Sequence, residues 1–244
     1  MAALDDMVGS QTDQLGADRR NAALVAAVVA FVVPVWFMAT LTAVGSYRGN
    51  YIPGVDDPDQ DFIQFYVDNH SKIPLTSTMF IIGWVLILVV LVAVVRALAP
   101  RMTLPGILAI TLAGTSTAVS VVSQGLFTYP TITYELTAEK VPANLDPAVA
   151  RFIVLSTEPV QNAGGVLIGV AMLMVALIAA RSDLWGHRVI AVIAGIMGAV
   201  GVLNMVLGGG GTAVIGMVPF GVVTGIVLLI GRSRQHPTPI PVTE

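Results

Sequence analysis

Residues 75–97 read LTSTMFIIGWVLILVVLVAVVRA, with no acidic or basic side chain before Arg96. A helix rises about 1.5 Å per residue, so about 20 such residues cross a hydrocarbon core of about 30 Å. The run shows no period-two alternation and is about twice the length of a barrel strand, which makes it a helix. Five more windows of this kind lie near 22–44, 104–127, 158–180, 189–207 and 213–231. The last two are joined only by Gly208 to Thr212, too short a link for anything but a hairpin between antiparallel neighbours.

Composition agrees with that reading. The chain is 55% hydrophobic and 11% charged, with a mean hydropathy of +0.83, whereas soluble domains carry about a quarter charged residues. The expected fold is therefore an all-α, polytopic membrane helix bundle of six transmembrane helices, with short amphipathic interfacial helices on the external side. Residues 1–21 are expected to form a cytoplasmic tail, 22–231 the membrane domain and 232–244 a proline-rich cytoplasmic tail. The first window is longer than a secretory signal's apolar core and is expected to be retained. Without cysteine, disulfides, thiolate metal sites and cysteine nucleophiles are excluded. The net charge of -3 offers nothing to nucleic acid.

Orientation follows from the cations. Arg19, Arg20, Arg96, Arg101, Arg181, Arg188, Arg232 and Arg234 fall on one side of the six windows, against Arg48, Lys72, Lys140 and Arg151 on the other. Positive residues stay in the cytoplasm, so both termini are expected there, with the long connections 45–74 and 128–157 outside.

Those connections carry pattern. In DQDFIQFYVDN (59–69) Phe62, Phe65 and Tyr66 share one helical face, with Asp59, Asp61 and Asp68 off it. This suits an interfacial anchor at headgroup depth, or a lid over an external opening. In the second connection Asp146 and Pro147 make a helix start, the carboxylate capping free amides. Pro159 then either begins a new helix or kinks a long one. Asp57-Pro58, Gly83 and Arg96 are echoed by Asp146-Pro147, Gly169 and Arg181, a pattern that fits either a duplication or chance spacing.

The stretch FYVDNHSKI (65–73) ahead of a span, followed by glycine-rich spans, resembles a group of uncharacterised multi-pass membrane proteins of actinobacteria. The resemblance implies a bacterial plasma-membrane protein, and ten Arg against two Lys suits a GC-rich genome. It supplies no activity and no site residues.

Within the spans, Gly165, Gly169, Gly195, Gly198, Gly201, Gly221 and Gly225 form small-residue stripes that let helices approach closely. In the third window Ser116, Ser120, Gln124 and Thr128 recur every four residues, with Ser123 beside them. Such a stripe must face into the bundle, because polar groups in lipid are costly. Serine hydroxyls can bond their own helix, but the carboxamides of Gln124, Asn162 and Asn204 need partners.

In LSTEPVQNAGGVLIG (155–169), Glu158, Gln161 and Asn162 stand at the mouth of the fourth window, with Glu158 and Asn162 on the arc of Gly165 and Gly169 and Gln161 adjacent to it. Glu158 either caps a helix start beside Pro159 or faces a ligand. The ligand-binding candidates are Glu158, Gln161, Asn162, Gln124 and Ser120. His70, His187 and His236 lie in loops or tails, too scattered for a metal site, and no P-loop or nucleophile elbow is present, so no cofactor is expected. The expected function is a transport-related component or accessory subunit with a small polar external vestibule between the third and fourth spans. The alternative is an intramembrane enzyme with Glu158 as general acid or base. The partners expected are the bilayer and a membrane protein or second copy, not nucleic acid.

Overall fold

The computed structural model describes residues 2–47, 58–99, 101–133, 146–207 and 212–234, and all its regular elements there are helices. They are α1 (Ala2–Gly45), α2 (Pro58–Asp68), α3 (Lys72–Leu98), α4 (Leu104–Thr133), α5 (Pro147–Ala180), α6 (His187–Leu207) and α7 (Thr212–Arg234). Four of them, α1, α3, α4 and α5, contain described stretches long and apolar enough to cross a membrane; those in α6 and α7 are shorter. The helix of α1 runs back through the segment read as a tail. The Gly208–Gly211 link, Asn204's side chain and the end HPTPIPVTE lie outside the described residues.

Apart from α2, the helices pack as a closed ring in chain order: α1 on α3, α3 on α4, α4 on α5, α5 on α6, α6 on α7, and α7 back on α1. Large side chains fill the middle. Phe37, Trp84, Ile87, Met172, Phe220 and Leu228 are all 2% exposed or less, and the gap among Val33, Ile87, Val90, Met217, Phe220 and Gly221 has no room for a water molecule. The outer surface is apolar as well, with Val35, Leu104 and Phe152 at 72%, 70% and 71% exposure. A helical bundle that is apolar inside and out is suited to a bilayer.

Where two helices cross closely, glycine decides it. A Cβ on Gly169 of α5 would lie 2.9 Å from the Val202 amide nitrogen and 3.0 Å from the Gly198 carbonyl oxygen of α6. On α7, a Cβ at Gly221 would lie 2.7 Å from the Ala30 carbonyl oxygen of α1, and one at Gly225 would lie 3.0 Å from the Phe31 ring. Gly195 differs from Gly169, Gly198, Gly201, Gly221 and Gly225: its Cβ would meet only Ala176, at an ordinary 3.8 Å, so the close approach does not require glycine there.

The end carrying Arg19, Arg96, Arg101, Arg181 and Arg188 is here called the basic end. There the Arg19 Nε donates to the Ala97 carbonyl (2.8 Å) and its Nη2 pairs with Asp183 (2.5 Å), while the Ser182 hydroxyl donates to the Leu98 carbonyl (2.9 Å). The last carbonyls of α3, which no helical amide can reach, are thus satisfied from α1 and from the α5–α6 turn. The Arg19 hydrogen bond holds the Asp183 carboxyl below its ordinary 3.8, with desolvation opposing.

Candidate functional site at the opposite end of α4 and α5

The polar face of α4 lies against α5, as its four-residue spacing requires. Ser116, Ser120, Ser123 and Gln124 are all buried. Ser116 donates to the Gly164 carbonyl (2.7 Å) and Ser123 to the Thr157 carbonyl (3.0 Å), so two hydroxyls stitch the helices antiparallel through backbone. Between them a Cβ at Gly164 would come within 2.8 Å of the Ser120 oxygen, and that hydroxyl, fully buried, has no hydrogen-bond partner. From Ser116 to Ser123 the seam is therefore closed by direct contact. Gly164, next to the Gly165 of the sequence stripe, is the glycine that permits it.

The seam's far end is different. Gln124 follows Ser123 there and is 6% exposed, and its carbonyl accepts from the Thr128 hydroxyl (2.8 Å). On α5, Gln161 and Asn162 are half-buried; they lie between Thr157 and Gly164, level with the stitched stretch Ser116–Ser123 and not beyond it with Gln124. The side chain of Glu158 lies outside the described residues, but its place in the chain is settled. α5 begins at Pro147, where the Asp146 carboxylate accepts from the Ala148 amide (2.9 Å), and it continues through Pro159. Glu158 is thus interior to a helix with no free first-turn amides beside it, and the helix-cap reading of this residue is overturned. Asp146 caps instead.

One turn beyond Gln124, α2 closes over the end of α4. Pro130 has no N–H for the carbonyl four residues back and loosens the last turn of α4. The Tyr66 hydroxyl donates to the nearby Phe127 carbonyl (3.0 Å). The rings of Phe65 and Tyr66 pack on Phe127, and Phe65 also meets Tyr47 edge-on at 5.8 Å. Phe65 and Tyr66 are 4% and 0% exposed. These aromatics are covered by protein rather than offered to headgroups as an anchor would require; the side chain of Phe62 lies outside the described residues.

The break between α2 and α3 is made by Asn69. Its Nδ2 donates to the Phe65 carbonyl (2.9 Å), and its own carbonyl accepts from the amides of Lys72 and Ile73 (2.9 and 3.0 Å). Bonds from Tyr47 to Thr76 and from Lys72 to the Ser46 carbonyl fix the end of α1 to the start of α3. His70 and His187 each bond through Nδ1 to a carbonyl three residues back, a local turn role. His236 lies outside the described residues.

Sequence reasoning placed the α4 stripe on one inward face but did not identify its acceptors. The amphipathic spacing of 59–69 allows an anchor or a lid, but it does not reveal the partners of Tyr66 and Asn69. Compared with protein-family models, curated proteins and solved structures, the chain matches none.

Proposed function

We propose that this chain is a transport-related accessory subunit of a bacterial plasma membrane, crossing it six times with both termini cytoplasmic. Its polar site at the external end of α4 and α5 takes a small polar or amphiphilic ligand beneath α2. Gln124, Gln161, Asn162 and Glu158 form that site, and Ser120 lies at its inner limit. The observation that supports this is the polar character of the seam's outer part: Gln124 is buried one residue past the Ser123–Thr157 bond with α2 over the next turn, and Gln161 and Asn162 are half-buried on α5 between the two stitched carbonyls. The apolar fill of the ring supports an accessory role over that of a pore. Spans by α6 and α7 are supported by their places in the ring between α5 and α1.

The cysteine-free chain allows a direct test. Single cysteines replacing Gln124 and Asn162 should react with a small thiol reagent added outside intact cells, and faster once Tyr66→Ala loosens α2. A cysteine at Ser116, in the closed seam, should not react in either background. If the cysteines at 124 and 162 stay inert with α2 loosened, there is no site. A cysteine at Arg101 that reacts with an impermeant reagent from outside would reverse the orientation.

A further inference from the structure

At the basic end a cavity of about 140 Å³ opens between the end of α3, the start of α4 and the end of α5. That is the volume of roughly four or five liquid waters, room enough for a phosphate group. Its polar wall is Arg181, Thr103 and Ser182, and its apolar wall includes Ala99, Pro105 and Leu177. Leu177, 47% exposed, carries that wall out to the lipid-facing surface, where Leu104 and Ile107 are exposed too.

We propose that this cavity binds the phosphate of an anionic phospholipid, with Arg181 as the cation that recognises it and the Leu177 wall as the track for an acyl chain. The charge accounting favours an anion. Asp183, the carboxylate two residues from Arg181, is already bonded to Arg19, and Arg181 has no carboxylate partner among the described residues. The α3 carbonyls that would repel a phosphate are occupied, Ala97 by Arg19 and Leu98 by Ser182. Thr103 accepts from the Gly106 amide at the start of α4, so the positive end of that helix's dipole faces the same space. Guanidinium matches phosphate in geometry as well as charge, and basic pockets between membrane helices are where lipid phosphates settle. The apolar track selects a lipid over free phosphate.

The test uses the full purified chain in detergent, titrated with phosphatidylglycerol or phosphatidylcholine of the same acyl chains and read by native mass spectrometry. Phosphatidylglycerol should bind more tightly, and Arg181→Gln should weaken it about fivefold, the share of one cation near a phosphate, while phosphatidylcholine is unchanged. Arg96→Gln, an exposed cation outside the cavity, should change it less than twofold. Ala99→Phe, which fills the cavity and leaves every charge in place, should weaken phosphatidylglycerol by at least as much as Arg181→Gln. Equal losses for Arg181→Gln and Arg96→Gln would assign binding to diffuse surface charge and overturn the site, as would unaltered binding to Ala99→Phe. Displacement of the lipid by inorganic phosphate alone would make free phosphate the occupant and overturn the lipid assignment.

Discussion

Replacing Gly169 by alanine adds one methyl group at the tightest crossing between α5 and α6. The new Cβ would sit 2.9 Å from the Val202 nitrogen and 3.0 Å from both the Gly198 oxygen and the Gly201 carbonyl carbon, where ordinary contact begins at 3.4 Å. Every one of these atoms is backbone, so none can rotate aside, and the helices must part by about 0.5 Å (3.4 less 2.9). A gap of that size forfeits about a quarter of each neighbouring dispersion contact, and overpacking of this kind costs about 1–3 kcal/mol. Gly195→Ala is the matched control on the same pair of helices, because its Cβ meets Ala176 at 3.8 Å. It should stabilise by about 0.5–1 kcal/mol through the lower backbone entropy of alanine in the unfolded chain. Unfolding by sodium dodecyl sulfate in mixed micelles, followed by far-ultraviolet circular dichroism, reads both. If Gly169→Ala unfolds with the unaltered protein, or Gly195→Ala is equally destabilised, backbone proximity is not what holds α5 to α6.

Tyr66→Phe should cost about 1 kcal/mol by removing the hydroxyl's bond to the Phe127 carbonyl, and hydrogen exchange should rise in α2 while α3 to α7 keep their protection; unchanged α2 protection would show that the hydroxyl does not hold the cover. Ser116→Ala and Ser123→Ala should each cost about 0.5–1 kcal/mol, the usual worth of a hydrogen bond between membrane helices. Ser120→Ala should be neutral or stabilising, since its buried hydroxyl has no partner to lose; a loss as large as that of Ser116→Ala would contradict the assignment of the seam. The Arg19–Asp183 pair predicts a pH dependence. A carboxyl depressed below 3.8 contributes stability that is complete above that pH and lost as pH falls through the folded value. Because Asp183 is 84% exposed, the loss should stay under about 1 kcal/mol, and Arg19→Gln should remove it from acid-unfolding profiles.

The windows at 75–97, 104–127, 189–207 and 213–231 fall inside α3, α4, α6 and α7, because a charge-free apolar run needs no knowledge of its neighbours to be read as a helix. The two alternatives for Glu158 stayed open in the sequence for a physical reason. Pro159 removes one amide bond, which suggests a helix start, but in a 34-residue helix capped at Asp146 the loss is tolerated and the helix runs through. For α2 the sequence offered a lid beside an anchor and could not choose between them. An amphipathic period shows that one face is apolar, not what covers it, and Tyr66 meets its partner Phe127 from 61 residues away. The inward aim of the α4 serines was legible from spacing, whereas their choice of α5 carbonyls depended on Gly164 having no side chain. The cavity at Arg181 joins three helix ends that no local pattern connects.

The contact of α7 with α1 imposes an order on assembly. As the helices form in chain order, the small face of α1 around Ala27 and Ala30 stays uncovered until the last helix arrives, because its partners are Gly221 and Gly225. Every other neighbour in the ring is available sooner. The nascent bundle is therefore an open crescent with a sticky first edge, and α7 is its clasp. A chain that stalls before residue 212 would display that edge to other copies, so early truncations should be prone to mispairing while the finished ring has no free edge to offer.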